Sequence, residues 1–377
     1  MTRFFSGIRR PVKRTEAPRY LILVLVSFAV SVVGTRLFLE LTGYPQLGGG
    51  TLHIAHVLWG GLLLFVATLV PLTWANRWTY PATAVLSGLG VGLFIDEVGK
   101  FITQNNDYFY PFAAPIIYAF FLLTALIYIQ VRRLRPSSAR YELYSALDGL
   151  MEVLDRDLDA EEHAVLESRL RYVADNADHP DQAQLAMALL AFLASDAVRL
   201  VPQNPGPLDR WVARVRAYER RLFTRARLRW LLILALGLTG ALALSELVTL
   251  GVALTTPDIV LSQLAESLVA SGLSPSPTYA LWSIVRLALE VLADMLLLAG
   301  SFYMLRGQEA RGVMFGTLGF LMLLTTVNLL VFFFDQFRAV SVTLFQLIAL
   351  LGLVRYRQRF LAEAGAASIR AGTGVRT

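Results

Sequence analysis

Residues 88–110 read GLGVGLFIDEVGKFITQNNDYFY, an apolar run of transmembrane grade that takes in Asp96, Glu97 and Lys100 before ending in a polar knot. An ionisable side chain at the centre of a membrane helix costs about 2.5 to 3.5 kcal/mol on insertion scales. Three in one run therefore call for partners, a wet cavity or a chemical task.

The rest of the chain confirms that such runs are meant for lipid. Of 377 residues, 56% are hydrophobic, and the mean hydropathy is +0.56, far above that of a soluble chain of this length. The net charge of +6 would suggest nucleic acid in a soluble protein. Here the arginines flank apolar runs and face headgroups, so the basic balance is a topology signal and nucleic acid is not an expected partner. The absence of cysteine excludes disulfides, thiolate metal sites and iron–sulfur clusters.

Apolar runs of about 20 residues occur at 20–41, 52–74, 80–103, 111–132, 229–252, 280–305, 312–334 and 338–356. The expected fold is all-α: a polytopic transmembrane bundle of eight spans, four plus four, with a cytoplasmic helical module inserted between the halves. The divisions are a basic tail at 1–19, a first membrane half at 20–132, the module at 133–228, a second half at 229–357 and a tail at 358–377. Loops 42–51, 104–110 and 253–279 hold no Lys or Arg and the turn between the last two runs holds only Arg338, whereas Arg77, Arg132, Arg133, Arg220, Arg221, Arg225, Arg306, Arg311 and Arg355 crowd the alternate ends. That asymmetry places both termini in the cytoplasm and the protein in the cell membrane, with lipids as partners. Arg19-Tyr20-Leu21-Ile22-Leu23 resembles Arg229-Trp230-Leu231-Leu232-Ile233, which admits a parallel duplication of the halves.

Within the module, apolar positions recur at helical spacing over 138–156, 160–176 and 181–200, with a fourth helix from 207. Asp159 and Glu162 have the spacing of a capping box. The module reads as a surface for packing, regulation or contact with a cytoplasmic partner or a second copy. Residues 257–272 predict a short amphipathic helix in the outer interface.

Scarce residue types gather at one depth. Lys100 is one of only two lysines among 34 basic residues, and His53 and His56 are two of four histidines. At 1.5 Å per residue, Asp96, Glu97 and Lys100 lie roughly 24 to 30 Å from the cytoplasmic end of the third span, level with His53 and His56 at the start of the second. Glu40, Asn105, Asn106, Asp107 and Tyr108 arrive at the same layer. Histidines three apart share a helical face. With Asp96 they form a candidate shell for a divalent Zn, Mn or Fe ion, leaving Glu97 as general base and Lys100 to position or protonate a substrate. A structural ion pair of Asp96 with Lys100, interfacial histidines, and a plain turn at 105–107 explain the same residues without chemistry. In the second half, Arg286, Glu290 and Asp294 share one face of the sixth span, with Asn328 on the seventh as a partner. They form either a buried clamp or an ion path.

The asymmetry between the halves and the outward-facing layer of the polar cluster favour a membrane enzyme acting on a lipid or lipid-linked substrate, with an ion- or proton-coupled transporter or channel as the alternative. A structural or sensory membrane protein is the third reading.

Overall fold

The computed structural model describes residues 11–43, 55–108, 110–133, 138–202, 207–255, 277–335 and 339–361. His53 and the expected interfacial helix at 257–272 lie outside the described residues. The chain is all-helical, 84% helix, with no strand among the described residues. Among the described residues, five helices are long and apolar enough to cross a membrane: Ala17–Thr42, His56–Thr73, Ala113–Arg132, Glu309–Phe334 and Val340–Leu361. Large apolar side chains stay exposed along them, among them Leu41, Phe65, Leu72, Leu126 and Leu351. A water-facing surface would not tolerate so many; a lipid-facing one requires them.

The chain divides into two compact units, residues 1–97 with 120–207 and residues 98–119 with 208–377. In the first, helices α1 (Ala17–Thr42), α2 (His56–Thr73) and α3 (Thr79–Asp96) pack together. Their closeness is written in glycine. A Cβ on Gly88 would stand 1.9 Å from the Ser27 Oγ of α1, and one on Gly60 would stand 2.8 Å from the Gly90 carbonyl oxygen of α3. Small residues let backbones approach where apolar solvent gives helices no reason to associate. The buried residues of α1, namely Ser27, Phe28, Ser31, Val32 and Arg36, fall on one face, so Arg36 is turned towards α3 with the packing residues.

The expected continuous span 80–103 is in fact two helices. α3 ends at Asp96, Glu97 takes φ −90° and ψ 9°, and a five-residue helix, α4 (Val98–Ile102), follows in the second unit. The expected runs 229–252 and 280–305 lie within α10 (Arg225–Thr255) and α11 (Pro277–Leu305).

Three helices of the polar block, α6 (Ala139–Asp155), α7 (Ala160–Asn176) and α8 (Pro180–Leu193), have a core of their own around Leu143, Ala146, Leu166, Leu170 and Val173. Ser138 caps α6, and Asp159 with Glu162 forms the capping box of α7. The third helix stops at Leu193, short of the expected 200. α6 is tied to the ends of α1 and α3 by charge. Arg14 meets Asp148 at 3.0 Å, Arg77 bridges Glu16 and Glu152, and Thr15 bonds Ser145 at 2.6 Å. A cavity of about 380 Å³ lies among Glu16, Arg77, Asp148, Glu152, Glu162 and Arg169.

The second unit contains α4, the start of α5 (Ala113–Arg133), α9 (Pro207–Leu222), α10, α11, α12 (Glu309–Met322), α13 (Asn328–Asp335) and α14 (Val340–Tyr356). Its core joins Leu232, Leu236, Leu297, Phe320, Leu353 and Tyr356. A π-helical turn, Leu323–Val327, separates α12 from α13. The Tyr118 hydroxyl donates to the Leu324 carbonyl oxygen in that turn, satisfying an acceptor that the widened turn exposes. A second π-helical turn, Arg357–Leu361, extends α14.

Candidate functional site

Three of the singled-out residues meet, and a fourth that the sequence reading passed over joins them. At the end of α3, Asp96 Oδ1 accepts from Arg36 Nε at 2.6 Å, and Asp96 Oδ2 lies 3.0 Å from His56 Nε2. The other ring nitrogen, Nδ1, lies 3.4 Å from Glu97 Oε1. Glu97 Oε2 in turn accepts from the Val57 backbone N–H at 3.1 Å. Asp96 and Glu97 are fully buried, while the His56 side chain is 20% exposed.

The break in the helix makes this arrangement available. Consecutive residues of one α-helix point about 100° apart and do not face a common group. Because α3 stops at Asp96 and Glu97 leaves helical geometry, both carboxylates reach one imidazole. Each helix end also gains a partner for one backbone group. Arg36 Nη2 donates to the Asp96 carbonyl oxygen at 3.1 Å, placing a cation at the C-terminus of α3. Glu97 takes a first-turn N–H of α2, placing an anion at its N-terminus. With His56 protonated, the four side chains carry two positive and two negative charges. Removing one partner of such a buried set strands a charge, at a cost of about 3 to 5 kcal/mol.

Arg36 had a readable signal, since it is an ionisable residue inside the apolar run 20–41. Counted among flanking arginines, it looks unremarkable. Its helical phase with Ser27, Ser31 and Val32 sets it apart.

Lys100 lies on α4 in the second unit, its Nζ 5.2 Å from the centroid of the Tyr108 ring. Thr103 ties that knot, donating to the Gly99 carbonyl oxygen at 2.7 Å and accepting from the Asp107 N–H at 2.7 Å. Asn105 and Asn106 are exposed, and Asn106 adopts φ 53°, a left-handed conformation that asparagine tolerates. Glu40 is exposed near the end of α1. In the second unit, Arg286 Nε is 3.5 Å from Glu290 Oε2, and Asp294 is buried one turn further on. Asn328 Nδ2 donates to Gln346 Oε1 at 2.8 Å and to Thr343 Oγ1 at 3.0 Å.

Among the described residues, no group of three or more His, Asp or Glu side chains is disposed to hold a metal ion. The geometry of the quartet gives the reason: each nitrogen of His56 faces a carboxylate oxygen, and Asp96 is shared between His56 and Arg36. No protein-family model, curated protein or solved structure matches the chain. Fold and site together define an all-helical protein with several apolar helices compatible with a membrane, one bundle of which buries an Arg–Asp–His–Glu quartet.

Proposed function

We propose that the chain is a proton- or ion-coupled membrane protein, a transporter or channel, in which Arg36, Asp96, His56 and Glu97 take up and release the coupling proton or cation. The observation that carries this reading is a single imidazole set between two buried carboxylates while keeping one-fifth of its surface exposed. A neutral imidazole offers one donor and one acceptor, so one of its nitrogens then confronts an oxygen with no hydrogen between them. Gaining a proton closes the network and losing it opens the network, which is the property a coupling site needs. Asp294, with Arg286 and Glu290 beside it on α11, supplies a buried acid for a path through the second unit. Following the positive-inside rule, we place the protein in the cell membrane as a multi-pass chain of eight spans, with both termini and the α6–α8 module in the cytoplasm.

The test is flux. Protein reconstituted in vesicles holding a pH-sensitive dye should carry protons, or Na⁺ or K⁺ against protons, faster than empty vesicles. His56→Gln and Asp96→Asn should each lower that rate at least tenfold. Rates equal to empty vesicles under all three gradients would rule the coupling role out.

A second reading, a membrane enzyme acting on a lipid or lipid-linked substrate, is favoured by one detail. Asp96 holds Nε2 of His56 as an orienting carboxylate holds a general base. In that reading Glu97 is a further base and Lys100 positions or protonates the substrate. A divalent Zn, Mn or Fe ion held by His53, His56 and Asp96 belongs to it as well. The residues fit such an ion poorly, because His56 and Asp96 would first have to give up each other and Arg36. Equal metal content in wild type and in His53→Ala/His56→Ala would remove the ligand assignment.

A further inference from the structure

The bend between α9 and α10 combines two surfaces that suit the two halves of one kind of molecule. An apolar groove runs along the first turns of α10, lined by Leu222, Phe223, Ala226, Trp230, Leu231 and Leu234, with Arg227 at its lip. Trp230 is 62% exposed and Leu234 65%, so the groove faces outward from its unit. Arg227, which lines the groove, and Arg220 and Arg221, which directly precede Leu222 in the chain, are exposed and form no ion pair among the described residues. Their neighbours behave differently. Arg225 and Arg229 are drawn to Glu309, at 2.9 and 3.7 Å.

The bend itself is held rigidly. Arg355 of α14 grips Glu219 with two bonds, at 2.7 and 3.2 Å, and Arg359 donates to the Phe223 carbonyl oxygen at 3.0 Å. Three exposed arginines therefore lie around the held bend where a polar, arginine-rich helix gives way to one that begins Arg-Ala-Arg-Leu-Arg-Trp and continues into an apolar run.

We propose that this bend is a binding site for an anionic glycerophospholipid, with its phosphodiester headgroup held by Arg220, Arg221 and Arg227 and an acyl chain lying in the groove along Trp230, Leu231 and Leu234. Charge complementarity selects the headgroup, because a zwitterionic lipid gains much less from three neighbouring cations. Guanidinium forks match phosphate oxygens in pairs. The groove selects a lipid over a soluble phosphate, since only a lipid brings a hydrocarbon chain to cover exposed Leu and Trp. Tryptophan at such a boundary matches the interfacial depth at which a headgroup joins its chains. The site is independent of the quartet and would remain if the coupling role failed.

The experiment is lipid titration of the purified full-length protein, followed by native mass spectrometry and by thermal unfolding. Phosphatidylglycerol should bind at least tenfold more tightly than phosphatidylcholine and raise the unfolding temperature. Near the membrane each basic residue contributes about 1 kcal/mol towards anionic lipid. The triple variant Arg220→Gln/Arg221→Gln/Arg227→Gln should thus lose tenfold or more in affinity while unfolding, without lipid, as wild type does. Arg171→Gln, an exposed arginine of α7 paired with Glu167, should bind as wild type does. Equal affinity for the two lipids, or unchanged phosphatidylglycerol binding by the triple variant, would overturn the site. Displacement of the lipid by millimolar inorganic phosphate alone would overturn the assignment to a lipid.

Discussion

At the scale of single residues, Arg36 is the group whose loss should be most costly. Truncating it strands Asp96, fully buried, without its guanidinium, and Arg36→Ala should destabilise the protein by about 3 to 5 kcal/mol. Arg36→Ala/Asp96→Asn should recover part of that loss, because the amide removes the stranded charge. A denaturant titration in detergent reads both. A loss below about 1 kcal/mol for the single variant would show that another cation carries the charge balance. The meeting of His56, Asp96 and Glu97 was legible in the sequence as scarce polar residues at one depth. Arg36 was harder to see because an arginine in an arginine-flanked span does not stand out by composition. Its significance lies in its helical phase relative to residues that touch α3.

Among elements, α3 shows how far spacing arguments reach. The glycines at 88, 90 and 92 were readable as points of close approach, and a Cβ at Gly92 would lie 2.6 Å from Ser31 Cβ. Gly88→Ala should separate α1 from α3 and lower the unfolding temperature by several degrees. Gly61→Ala, where nothing lies within 4 Å of the added methyl, should raise it slightly or leave it unchanged. Equal effects from the two would mean that helix propensity, not contact, decides. What spacing could not supply was the end of α3. No proline or glycine occupies 96 or 97, so periodicity alone predicts one span that continues to 103. The helix ends there because capping groups from α1 and α2 take over its last carbonyl oxygen and the following carboxylate. Those interactions are separated by 40 to 60 residues in the chain, beyond the reach of a local pattern.

For the whole molecule, attachment of the α6–α8 module to its bundle rests on charges around Arg77. Glu152 is held above the usual carboxylate range, first by burial, with Arg77 opposing that rise and Glu162, Asp157 and Asp155 adding to it. A carboxyl raised in the folded state contributes stability that is complete below its unfolded value, about 4.3, and is lost as pH climbs through the folded one. Glu152→Gln should therefore flatten the fall of unfolding temperature as pH rises above about 4.3. A wild-type slope unchanged in that variant would show that Arg77 outweighs burial. Arg77→Ala should loosen the module, seen as faster proteolysis at the 155–159 turn. The module helices were largely legible, because Ser138 and the Asp159–Glu162 pair announce their starts. The grouping of α9 with the second unit was not, since it follows from Glu219 meeting Arg355, 136 residues away.

That long separation also governs the order of assembly. Arg14 and Arg77 emerge early from the ribosome, yet their partners Asp148 and Glu152 follow 134 and 75 residues later. At about 5 to 20 residues per second the wait after Arg77 is roughly 4 to 15 s. During that interval the nascent first bundle holds two arginines short of these acids, open to whatever ions, headgroups or chaperones surround it. A chain truncated before residue 148 never closes them.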